Sequence, residues 1–289
     1  MEHEAKLNVL VHPYERLIPV TSGRKQLKEA ARRPGSALVW QPRVAVNEDT
    51  VRFVESRPGG LALIIILPPA GELESRPELL DAVHRTRPRG LLPHHFGPRA
   101  RDMAEVLRCP PLDLAADITD YLAWRGLSVD RDTTNVLRRI IDLSAKARTI
   151  NELTRAMYVS RRALGRRLET RGLPVPSHWL QVARLMRLSA RLQNSDASIF
   201  SLAYEFGYPD GFSVSNQMHR LIGYRPSQVR ECFGWEWILE GWLRREAETG
   251  GLAPGATRRV LSEQADEPRV LPSMNSAPAR KRRAKGSVA

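Results

Sequence analysis

Twice in this chain a short segment with an apolar stripe is followed, after a brief turn, by another, and that spacing commits its second half to paired short helices. In the first copy, TINELTRAMYVSRRALGRRLETRG, Ile150, Leu153 and Met157 share one side of a helix, and Ala163, Leu164 and Leu168 give the next helix its inward side. Thr149 with Glu152 three residues on has the capping-box spacing, so a helix starts near Ile150, and Ser160 can cap its successor. Only Tyr158 and Val159 lie between, a turn of helix-turn-helix length. In the second copy, SIFSLAYEFGYPDGFSVSNQMHRLIG, Ile199, Leu202, Ala203 and Phe206 again sit at i, i+3, i+4 and i+7. Gly207 supplies the turn, and Asp210 can cap a helix with Val214, Met218 and Leu221 or Ile222 inward. One long helix over residues 177–193 joins the two units.

The outward residues carry the chemistry. Arg161, Arg162, Arg166 and Arg167 lie off the Leu164/Leu168 stripe, and Arg162 and Arg166, four apart, stack on one face. A guanidinium donates two hydrogen bonds to guanine O6 and N7 and also grips phosphate, so this face suits a DNA major groove. On the second unit Phe212, Ser213, Asn216 and Gln217 point outward, able to meet thymine methyls or to hydrogen-bond bases and phosphates, with Arg220 on the phosphate backbone. One basic face alone also suits a solvated helix; the second copy and the joining helix favour docking. The charge is placed accordingly: of the net +13, +9 falls in residues 131–231, against +1 before and +3 after. A polyanion is the matching partner.

Residues 1–110 alternate short β-like runs with helical ones, the pattern of βα units on a mainly parallel sheet. Residues 7–11, 37–40, 61–67 and 90–92 read as strands; 25–32, 49–55, 77–86 and 101–107 read as helices. The run LALIIIL over 61–67 is apolar at every position, as in a strand covered on both faces. This order resembles the receiver domain of response regulators, which implies a flavodoxin-like strand order. Receiver chemistry is missing, since Pro68 and Pro69 follow the third strand where a phosphoacceptor aspartate would stand, and His12 and Pro13 follow the first in place of an acidic pair. The expectation for 1–110 is an α/β domain that is either a sensor or a degenerate receiver-like domain. After a break at Cys109-Pro110-Pro111, helical patterns over 112–124 and 133–147 make a connector, 111–148. Beyond the 149–230 module, Trp235, Ile238, Leu239 and Trp242 place an extra helix in 231–248, packed on its neighbours or forming a dimer contact. Residues 249–289 read as a disordered basic tail ending in RKRRAK, which can add non-specific DNA affinity.

Residues 149–230 resemble the DNA-binding domain of the AraC/XylS family of transcription regulators. The matching landmarks are Leu153, Ser160, Leu164, Arg166, Leu168 and Gly172, then Arg184, Arg187, Ala190 and Leu192, then Ile199, Leu202, Ala203, Gly207, Tyr208 and Asp210. The closing GYRPSQVR over 223–230 is similar to the family's G-x-S-P-x-x-Y-R signature. The resemblance implies an all-α C-terminal domain whose two recognition helices enter successive major-groove segments of double-stranded promoter or operator DNA. It also implies a cytoplasmic, nucleoid-associated regulator without a cofactor, for which RNA polymerase, a small-molecule effector and a second copy in a homodimer are further partners. The chain departs from the family at Gly165, which offers no side chain on the first recognition helix, and at Asn216, where many relatives carry arginine. It departs again at Arg225, in place of serine before Pro226, and at Tyr158, in place of a small turn residue.

Other classes find little support. The longest apolar run, 61–67, falls far short of the roughly 18 residues of a membrane span. The N-terminus is acidic and lacks a secretory pattern. Cys109 and Cys232 have no CxxC spacing, and His84, His94 and His95 match no zinc pattern. Walker A, GxGxxG, GxSxG and paired-carboxylate motifs are absent, so neither an enzyme nor a metal site is expected. The rival reading is a protein-interaction adaptor with a degenerate helix-turn-helix domain.

Overall fold

The computed structural model describes residues 6–42, 47–73, 77–96, 99–127 and 129–262. Its first part is one sheet of β1 (Lys6–Leu10), β2 (Leu17–Pro19), β3 (Ala37–Gln41), β4 (Ala62–Ile66) and β5 (Gly90–Leu92), with helices α1 (Gly23–Ala31), α2 (Glu48–Glu55), α3 (Ala70–Leu73), α4 (Pro77–Thr86) and α5 (Ala100–Arg108). The all-apolar β4 is indeed covered on both faces. Leu63 and Ile65 join Leu27, Ala30, Val51, Val54 and Ala82, from α1, α2 and α4. Ala62, Ile64 and Ile66 join Met103, Ala104 and Leu107 of α5, with Tyr14 and the distant Phe233 beside them.

The α/β class holds, but the sheet is mixed rather than mainly parallel. Strand order is β2-β1-β3-β4-β5, numerically the flavodoxin-like order. However, β1 runs antiparallel to both its neighbours, β2 and β3, while β3–β4 and β4–β5 are parallel. The cause is loop length. Residues 11–16 are too few for a parallel crossover, which needs a dozen or more, so the chain turns back into the short edge strand β2. Nothing in the three residues of β2 marked them as a strand in the sequence.

From residue 114 the chain is helical: α6 (Leu114–Trp124), α7 (Arg131–Leu143), α8 (Ile150–Met157), α9 (Arg161–Glu169), α10 (Pro176–Gln193), α11 (Ile199–Glu205), α12 (Gly211–Ile222), α13 (Pro226–Glu231), α14 (Glu236–Thr249) and α15 (Pro254–Leu261). A single core runs from Leu114 to Val260. The supposed connector is therefore part of this body, with Ile118 and Leu122 of α6 and Leu137, Ile140 and Ile141 of α7 buried in it. Trp235, Ile238, Leu239 and Trp242 are all buried, and Trp242 meets Trp179 of α10 edge-on at 4.6 Å, so the extra helix α14 packs inward.

The expected disorder from residue 249 is corrected over 249–262. Leu252 and Val260 are buried, and the Ala253 N–H donates to the Gly172 carbonyl at 3.0 Å. Pro254, seated where a helix leaves an N–H unpaired anyway, starts α15. The rest of the tail, including RKRRAK, lies outside the described residues. Among those described, no helix is long and apolar enough to cross a membrane.

The two parts meet along a polar seam. The Gly60 N–H donates to the Tyr121 hydroxyl (2.8 Å), which donates to Glu240 Oε2 (2.8 Å), and Arg125 completes a buried ion pair with Glu240 at 3.0 Å. Tyr14 stacks on Phe233 at 5.0 Å and accepts its N–H.

Candidate nucleic-acid interface

Local sequence chemistry builds both helix-turn-helix units. Thr149 Oγ1 accepts the Glu152 N–H at 3.2 Å and starts α8. The carboxylate of Glu152 reaches back to the Arg148 N–H at 2.8 Å, and this hydrogen bond first among several causes holds its pKa below the usual carboxylate value. α8 ends at Tyr158, whose φ of 56° is left-handed, a conformation that favours glycine and that side chains with a Cβ seldom adopt. Ser160 Oγ then accepts the Ala163 N–H at 3.1 Å and starts α9, whose Leu164 and Leu168 are buried.

In the second unit Ser198 caps α11, and the chain turns through Gly207 at φ +70°. A Cβ on Gly207 would also displace the Arg148 side chain, but it is the positive φ that calls for glycine. Asp210 Oδ1 accepts the Ser213 N–H at 2.7 Å and starts α12, with Val214, Met218, Leu221 and Ile222 buried. Hydrogen bonds from the Ser213 backbone and hydroxyl depress the Asp210 carboxyl pKa.

The outward residues separate into those displayed and those engaged within the fold. Arg161, Arg162 and Arg166 are exposed and form no ion pair among the described residues. Ser160, Arg162, Ala163, Arg166, Arg167 and Thr170 line one open concave surface. Ala163, expected to face inward, is exposed here because the core contact is carried by Leu164 and Leu168 alone. Arg167 leans back toward Asp132 of α7 at 4.0 Å. Gly165 leaves open space, with nothing within 4 Å of where a Cβ would stand. On α12, Phe212 is 71% exposed and Asn216 is exposed, whereas Gln217 and Ser213 are half-buried. Arg220 is exposed, and its Nη2 donates to Gln181 Oε1 at 3.3 Å.

Three arginines among the landmark positions do something else. Arg184 of α10 donates to the Arg148 carbonyl (3.1 Å) and the Phe206 carbonyl (2.5 Å) and lies over the Tyr208 ring at 4.7 Å. It pins the start of the first unit to the turn of the second. Arg187 bonds Ser144 Oγ and the Ile141 carbonyl at the end of α7, and Arg230 bonds the Ser195 and Ala197 carbonyls ahead of α11. These side chains set the relative placement of the units from inside. Sequence reasoning also left unremarked the exposed aromatic side of α11, where Phe200 is 47% and Tyr204 67% exposed and Phe200 meets Phe212 edge-on at 5.7 Å.

Two helix-turn-helix units, each with capped helices and one exposed polar or cationic second helix, define a DNA-binding domain of the class found in transcription regulators. Residues 153–231 match the family described as "Helix-turn-helix domain", and this C-terminal region is an AraC-type helix-turn-helix domain. A solved structure described as that of the xylose-binding transcription activator xylR aligns with 64% of this chain at 12% identity and a TM-score of 0.34. The alignment spans 57% of that chain's length. No curated protein matches the chain in sequence.

Proposed function

We propose that the chain is a sequence-specific transcription regulator that reads double-stranded promoter or operator DNA with α9 and α12 in successive major-groove segments. The observation that carries this reading is the display of Arg161, Arg162 and Arg166 on the exposed side of α9, unpaired by carboxylate, beside the cap Ser160. Arg162 and Arg166 are the base readers on α9, and Arg161 and Arg167 grip phosphate. On α12, Phe212 and Asn216 face bases, with Ser213, Gln217 and Arg220 positioning the helix on the backbone. Site centres then lie about one helical turn, roughly 34 Å, apart.

Selection of bound genomic fragments followed by titration supplies the test. Affinity falls steeply with salt, because each neutralised phosphate releases counterion. Arg166→Ala costs roughly 1–3 kcal/mol and relaxes preference at one base position. An unchanged site profile removes Arg166 from its role. The exposed Phe200, Tyr204 and Phe212 favour the second reading, an adaptor that binds protein through this face. Salt-independent or undetectable DNA binding decides for it.

A further inference from the structure

Two cavities flank the seam between the α/β domain and α6, and Arg57 and Trp124 line both. The cavity on the α1 side, about 270 Å³, is also lined by Arg24, Lys28, Glu55, Ser56 and Arg125. We propose that it is a binding site for a small organic anion, whose phosphate or carboxylate head sits among Arg24, Lys28 and Arg57 and whose body lies against Trp124.

Arg57 is the centre of the argument. Its side chain is buried, with 5% of the residue exposed, yet no carboxylate pairs with it among the described residues. Its partners are the carbonyls of Val54, Leu61, Thr86 and Arg87, at 2.8–3.2 Å, and the Trp124 ring, 4.2 Å from Cζ. Carbonyl dipoles and a ring quadrupole offset only part of the cost of burying a full charge. That cost pulls the Arg57 pKa down to about 10.

The surroundings add positive charge. Arg24, exposed on α1, donates through Nη2 to Ser56 Oγ at 3.0 Å, and Lys28 follows one turn later. Of the carboxylates, Glu55 on the cavity wall pairs with Arg85 at 2.9 Å, and Glu240 neutralises the wall residue Arg125 at 3.0 Å. The cavity on the other side, about 310 Å³, differs in kind: Asp117, Asp120 and Glu236 stand beside Arg87 and Arg89 there, so its charge is balanced. Anion preference therefore belongs to the α1 side. Its volume lies just under the roughly 300–1,000 Å³ of ordinary ligand pockets, which limits the occupant to a small phosphate ester or aromatic carboxylate. Because Arg24 and Arg57 come from the α/β domain and Trp124 from α6, an occupant bridges the two parts. This site stands independently of how the helix-turn-helix units read DNA.

The test titrates the full-length protein calorimetrically with inorganic phosphate and, separately, with benzoate, at ionic strength held constant with chloride. The wild type is compared with Arg24→Glu/Lys28→Glu, a pair on the outer wall of the cavity, and with the milder Arg24→Gln should the double variant melt early. At least one probe saturates at one per chain, and its affinity falls about tenfold in the double variant and about threefold in Arg24→Gln. Saturation by phosphate alone assigns a phosphate ester, and by benzoate alone a carboxylate. The proposal is overturned if neither probe saturates, or if the affinity is unmoved by these substitutions.

Discussion

Gly165 sits at the fifth of nine positions in α9, where glycine has a cost and no conformational need. Replacing it with alanine removes backbone freedom from the unfolded chain and raises helix propensity, together about 1 kcal/mol in a helix interior. The structure removes the usual offset: nothing lies within 4 Å of the new Cβ, so no neighbour has to move and no apolar burial is gained. The expected result is thus the propensity difference alone, about 0.5–1 kcal/mol of added stability. In a cooperative unit the size of the helical body this raises Tm by about 2–4 °C per kcal/mol. Urea unfolding followed by circular dichroism measures it, with an unchanged m-value showing that the unfolded state is the same. A fall in stability would refute the reasoning, because it would mean that the space is filled or that residue 165 is not helical. The same variant bears on DNA docking. If Gly165→Ala gains stability but loses DNA affinity, the glycine is present to let the backbone approach DNA closely.

Tyr158→Gly should stabilise the chain by about 1 kcal/mol in the same assay, since a 91% exposed tyrosine holds a left-handed conformation without a packing return; no gain would place Tyr158 in some contact of its own. His178 Nδ1 lies 3.0 Å from the buried Glu246 carboxylate, and that hydrogen bond raises the histidine pKa. The raised value means its stabilisation is full below the unfolded pKa of about 6.5 and is lost as pH rises through the folded one. The Tm difference between wild type and His178→Gln should therefore shrink from pH 6 to pH 9, and a constant difference would count against the pair. Arg184→Leu leaves the Arg148 and Phe206 carbonyls without their donors, costing about 3 kcal/mol, and should weaken DNA binding through misplaced units, although Arg184 is 9% exposed and faces no groove.

What could be read from the sequence was local. Caps at Thr149, Ser160 and Asp210 depend on residues three apart, and all three form. The doubly covered β4 depends on its own apolar run, and it too is found. What escaped depends on partners far away in the chain. The direction of β1 follows from a short turn into a strand of three residues, and the Tyr121–Glu240–Arg125 seam joins residues more than a hundred positions apart. No period in either segment announces such a meeting.

The arginines show where this limit matters for function. Counted by segment, every basic residue in 131–231 is a candidate for a polyanion, yet Arg184, Arg187 and Arg230 are turned inward to carbonyls. One signal could have separated the two on α10, Arg184 and Arg187. On α10, Val182, Ala183, Leu185, Met186 and Leu188 leave no wholly polar side, and a helix apolar nearly all round is a central one. An arginine on a central helix has to find acceptors inside, and the cheapest acceptors are the carbonyls that neighbouring helices and turns leave unpaired. On α9, by contrast, only Leu164 and Leu168 are buried, so its arginines reach solvent. Between α9 and α10 the apolar width of the carrier helix, rather than the count of positive charges, therefore separates the arginines displayed to solvent from those that hold the reading heads in place.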